Sequence, residues 1–148
     1  MEPDEVLLAY MNEHYAHARD HEDLRGQITS ILCAAAFVLI GFAGTGTGKP
    51  VVLLAAGLIA AALGLLNLQL NGLHESRFDS HTRVARAIRD DFERRLWVVG
   101  VAAIRPSEAR KEFKKRGDLS ATWDRVPMLV IASGVLLAVY AILQWVPL

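Results

Sequence analysis

Apolar positions along the chain fall into long blocks separated by charged stretches. The first two, ITSILCAAAFVLIGFAG and VVLLAAGLIAAALGLLNLQL, lie between Ile28 and Leu70 and are parted only by TGTGKP. No charged residue interrupts either block. At about 1.5 Å of rise per residue, each crosses most or all of a roughly 30 Å hydrocarbon core. Backbone N–H and C=O groups in lipid must be satisfied within their own segment, so the pattern predicts two antiparallel membrane-spanning helices over residues 28–70. A third block, VPMLVIASGVLLAVYAILQWV, predicts another span over 126–148, with Pro127 in its first turn, where a missing N–H costs little. The run VVGVAAI after Trp97 is too short to cross and is expected to pack against other helices or lie at the interface.

The stretches between the blocks carry helical periodicity of their own. Over residues 1–27, acidic Asp4 and Glu5 open a helix in which Leu7, Met11, Tyr15 and Ala18 form one stripe. His14, His17 and His21 fall on the flank of that stripe. A second helix, GLHESRFDSHTRVARAIRDDFERRLW, begins the 71–125 region. Its apolar face carries His74, Phe78, His81, Ala85, Ile88 and Phe92, with Arg77 and Arg95 at the edges, positioned to pair with carboxylates of the acidic arm. Residues equally far from the boundary face each other if these helices rise side by side, which predicts one zone for all five histidines. Such a row fits a metal site, a pH sensor, a ligand-facing surface or a half-buried packing face.

Charge sharpens this division. The segment before Gly26 carries Arg19 and Arg25 against seven Asp/Glu, whereas Gly72 to Arg125 has thirteen Lys/Arg and nine Asp/Glu. The acidic arm entering and the basic arm leaving the hairpin are expected to attract each other. Fifteen of the sixteen Lys/Arg lie on that side and only Lys49 on the hairpin tip, so the positive-inside rule assigns a cytoplasmic N-terminus and an external C-terminus. The first apolar run starts behind an acidic segment instead of a basic one, so no cleaved signal is expected and the hairpin is retained.

Candidate chemistry is sparse. The fold class expected is an all-α integral membrane protein, three transmembrane helices with cytoplasmic helical extensions. GTGTGK is not a phosphate-binding loop, because Ala43 and Pro50 replace its first Gly and its Ser/Thr. No nucleophile, metal-ligand or acid–base motif is evident, so neither an enzyme nor a cofactor nor a bound metal is expected, and Cys33 stands alone. Small residues Ala56, Gly57, Ala60, Ala61 and Gly64 recur at helical spacing and let backbones approach, within the hairpin or between subunits of a homo-oligomer. Asn67, Gln69 and Asn71 end the second span, as pore-side amides of a vestibule or as headgroup anchors. After Ser107, a short predicted helix concentrates Arg110, Lys111, Lys114, Lys115 and Arg116, a patch for anionic headgroups or for a polyanionic ligand such as a nucleotide or oligonucleotide.

A pre-membrane helix, a tight hairpin and a basic helix opening HESRFDSHTRVARAIR together resemble the small membrane effectors of bacterial anti-phage operons, nearest in architecture to the SLATT type. The resemblance covers roughly residues 5 to 95, and the C-terminal span departs from the two-span SLATT pattern. It implies self-assembly in the bacterial inner membrane, a sensor or nucleotidyltransferase partner from the same operon, and loss of membrane integrity when a cytoplasmic signal changes. The expected function is therefore an oligomeric, channel-like effector gated by a nucleotide signal. His74, Arg77, His81, the N-terminal histidines and Arg110 to Arg116 are the expected regulatory surface. The alternative is a non-conducting anchor that recruits a soluble partner.

Overall fold

The computed structural model describes residues 3–46, 49–96 and 123–145, and these are helical apart from short segments at the helix ends. Helix α1 runs Pro3–Gly46 without a break, opened by Pro3, Asp4 and Glu5, all suited to a first turn. Helix α2 spans Pro50–Leu96. Pro50 occupies its first position, and the Lys49 carbonyl just before it accepts from the amides of Val52 at 3.0 Å and Leu53 at 3.3 Å. Arg94 and Arg95 close α2, matching the negative end of its dipole. Helix α3 is Trp123–Leu143. All three are long and apolar enough to cross a membrane.

The N-terminal helix runs straight into the first apolar block as one rod of 44 residues, as the absence of a breaker there predicts, and the second apolar block likewise continues into the helix that follows it, giving 47 residues. No proline or glycine pair interrupts either junction, and nothing there stops the ladder. The described residues form two compact units. One takes residues 3–24 and 73–96, the other residues 25–46, 49–72 and 123–145. The predicted boundaries at 27/28 and 70/71 fall a few residues inside the second unit, because Arg25 pairs with Asp124 of α3 and Asn71 reaches Trp123.

The second, apolar unit has a core of small side chains. Cys33, Ala36, Ala60 and Val130 form one cluster, with Ile40, Leu63 and Val126 against it. Ala43, Leu53, Ala56 and Ala141 form another, with Leu54 and Leu137. The large side chains face outward: Ile31, Val38, Phe42, Leu129, Leu136 and Leu143 are all more than 60% exposed. Where α2 crosses α3 the backbones nearly touch. A Cβ on Gly57 would lie 2.6 Å from the Gly134 carbonyl oxygen, and a Cβ on Gly134 2.6 Å from that of Gly57.

Candidate functional site

The first unit pairs the start of α1 with the end of α2, and its centre is built from histidines. His14 and His81 meet Nδ1 to Nδ1 at 2.9 Å, and His21 and His74 at 3.3 Å. The rings of His14, His17 and His21 have their centroids 5.1, 5.3 and 5.5 Å from that of His81, making His81 the hub. His21 links this group to His74, with ring centroids 5.5 Å apart. The geometry follows from helix period: residues 14, 17 and 21 share one face of α1, residues 74 and 81 one face of α2. Ala18 and Ala85, 3% and 0% exposed, are the buried alanines of this unit.

An edge-on Tyr10 ring packs against His14, and the Glu13 carboxylate lies 3.6 Å from His17 Nε2. Partial burial holds His81 below the ordinary histidine range, and the charges of His14, His17, His21 and Arg77 push it the same way. Arg77 itself is exposed beside this group. At the far end of the pair Arg95 reaches Asp4 at 3.2 Å and Asp91 at 2.7 Å, the cross-helix contact anticipated from opposite arm charges. Both Asp4 and Arg95 are about half exposed, so their bridge contributes at most about 1 kcal/mol.

A second polar group sits inside the apolar unit. The Thr29 hydroxyl stands 3.1 Å from both Asn67 Oδ1 and Asn71 Oδ1, and with one proton it donates to one of them at a time. Asn67 donates to Cys33 Sγ at 3.5 Å, and Asn71 donates to the Trp123 carbonyl at 3.4 Å. That last bond has a covalent cause. Helix α3 starts at Trp123 and not at Val126, so Pro127 lies past the first turn where its missing N–H was expected to cost little; it has no N–H to offer the Trp123 carbonyl, and Asn71 supplies the donor from the neighbouring helix.

These contacts place two groups of residues singled out from the sequence. Asn67 and Asn71, expected as pore-side amides or headgroup anchors, are 0% and 1% exposed and hydrogen-bonded within the chain, whereas Gln69 faces outward. Ala56, Gly57, Ala60, Ala61 and Gly64 were expected to bring backbones together within the hairpin or between subunits, and within the chain all five take part in close contacts. Ala56 and Ala60 belong to the core clusters, and Gly57 and Gly64 abut α3 at Gly134 and Ile131, with Ala61 close to Gly134. The stripe packs between α1, at Cys33, Ala36 and Ala43, and α3, at Val130, Gly134 and Ala141. Arg110, Lys111, Lys114, Lys115 and Arg116, with the VVGVAAI run, lie outside the described residues.

Sequence reasoning missed Thr29, Arg25, Trp123 and Asp124. Arg25 is only 4% exposed and sits 3.7 Å from Asp124. The available signal was Thr29 and Arg25 at the start of an apolar run, one turn apart and therefore on one face. Chemically, the histidine unit presents imidazole nitrogens that can bind and share protons, whereas the amide group joins the helices by hydrogen bonds. No protein family matches the chain, and neither a curated protein nor a solved structure does.

Proposed function

We propose that the chain is an oligomeric membrane effector, channel-like in its response, with the histidine unit in the cytoplasm as its input and the three apolar helices as its output. Membrane residence is supported by the inversion of size in the apolar unit, with alanine and glycine inside and Phe42, Leu136 and Val38 outside. A bundle surrounded by water buries its large side chains, whereas one surrounded by hydrocarbon gains nothing from doing so. The observation that carries control of output by input is the continuity of α1 and α2, each of which supplies residues to both units. A change of state in the histidine unit is then a change in the same two helices that build the apolar one.

The protomer interior is filled by small side chains and the Thr29–Asn67–Asn71 group, so conduction requires several copies, with the pathway between them. The resemblance to anti-phage effectors supports a nucleotide or oligonucleotide signal, with the basic run Arg110 to Arg116 as its complement. The inward-turned amides favour a second reading, a non-conducting anchor for a soluble partner encoded in the same operon. Planar-bilayer recording of the purified full chain, with linear and cyclic oligonucleotides added to either side, separates the two. Signal-dependent current is the expected result. Silence under every condition, with retained binding of a soluble partner, replaces the effector by the anchor.

A further inference from the structure

The five histidines form two direct imidazole pairs around one hub, and such a pair tolerates only certain protonation states. A hydrogen bond between two Nδ1 atoms needs one ring to donate and the other to present a lone pair. His14 and His81 at 2.9 Å, and His21 and His74 at 3.3 Å, therefore each hold together only while at least one ring of the pair is neutral. When both rings carry two protons, both are donors and both are cations, and the contact becomes repulsive. Among the described residues no three His, Cys, Asp or Glu side chains are arranged to hold a metal ion, so what the rings share is proton chemistry.

We propose that this cluster is a proton-operated latch: neutral, it holds residues 3–24 of α1 against residues 73–96 of α2, and acidification of the surrounding compartment parts them. The inference deepens the proposed function, resting on the reading of this unit as the input. The surrounding groups bear on the sign. From α1 come His14, His17 and His21, with Tyr10 against His14 and the Glu13 carboxylate beside His17; from α2 come His74 and Arg77. Glu22 and Glu75 follow His21 and His74 in sequence. Glu13 offsets one added proton, while His81 meets three imidazoles and a guanidinium. Partial burial and those charges hold His81 below its ordinary value, so the separated helices bind more protons than the paired ones. The pairing is then fully present above about pH 6.5 and is lost as pH falls below it.

Spin labels at Ala9→Cys and Ala87→Cys, two exposed positions, report the separation in full-length protein held in lipid nanodiscs. Cys33→Ser removes the native thiol while keeping an acceptor for Asn67. At about pH 7.5 a single narrow distance distribution is expected, and at about pH 5 a broader, longer one, reversibly. His14→Gln with His81→Gln retains hydrogen bonding without a titratable ring and is expected to cut the pH response at least in half. Unchanged distances in the parent between the two pH values overturn the latch, and so does an undiminished response in the double variant. Should the double variant not pair at neutral pH, histidine ring NMR of the parent decides: a ring titrating below ordinary imidazole supports the latch, and five ordinary titrations overturn it. None of these readouts requires current. A latch that opens in a protein silent in every bilayer condition removes the proposed function and keeps the latch, and a signal-gated current without any pH-dependent separation does the reverse.

Discussion

Pro127 and Asn71 show how one side chain answers for another's missing atom. The Trp123 carbonyl loses its helical donor to Pro127, and the Asn71 amide, 1% exposed, replaces it across the α2–α3 contact. Asn71→Ala should therefore destabilise the apolar unit by about 1–2 kcal/mol, leaving both that carbonyl and the Thr29 hydroxyl with one partner fewer. Combined with Pro127→Ala, which restores an N–H to the ladder, the same substitution should cost measurably less. Equilibrium unfolding of the four proteins of this double-mutant cycle in mixed micelles gives the coupling. Asn71 was legible in the sequence as a polar residue at the end of an apolar run, but its role was not. Nothing in a linear chain says which helix will lie beside the carbonyl that a proline has orphaned.

At the scale of elements, the α2–α3 crossing is set by Gly57 and Gly134. A methyl group on either meets backbone atoms, 2.6 Å from a carbonyl oxygen and 2.8 or 2.7 Å from an amide nitrogen, and backbone does not swing aside as a side-chain tip does. Gly57→Ala and Gly134→Ala should each destabilise the unit by about 1–3 kcal/mol, read from thermal unfolding followed by tryptophan fluorescence. Gly41 and Gly44 of α1 have nothing near their Cβ positions, so alanine there should not lower the midpoint, and through helix propensity should raise it slightly, which serves as the control. Arg95→Ala should shift stability by less than about 1 kcal/mol, since its bridge to Asp4 is solvent-exposed. Histidine register was legible because a helix's rise is constant, so equal counts from the boundary put His21 level with His74. The small-residue stripe on α2 was legible as a contact surface. Its partner was not, because glycine spacing states that something comes close and is silent on whether that something belongs to the same chain.

For the whole molecule, the two units should answer acid differently. The five histidines all belong to residues 3–24 and 73–96, and the apolar unit contains none. Hydrogen exchange, corrected for intrinsic rates, should show protection falling in those two segments below about pH 6.5, while residues of the spanning segments keep theirs. Equal loss in both units would mean that the histidines do not control pairing. Three apolar blocks and their helical nature could be read directly from hydropathy, because long uncharged runs leave few alternatives. The fusion of spans with flanking helices was less plain, since continuity is an absence of breakers and leaves no motif.

The carbonyl that Pro127 leaves open has a consequence for how such a chain is made. Helix α3 carries Pro127 one turn from its start and Asp124 beside that carbonyl, with Arg25 as the acid's partner on α1. Taken by itself, this helix would carry an unsatisfied oxygen and an unpaired carboxylate, and packing on α1 and α2 answers both. In translocon insertion measurements, α3 expressed alone should insert less efficiently than its Pro127→Ala form, and co-expression of residues 1–72 should narrow the gap.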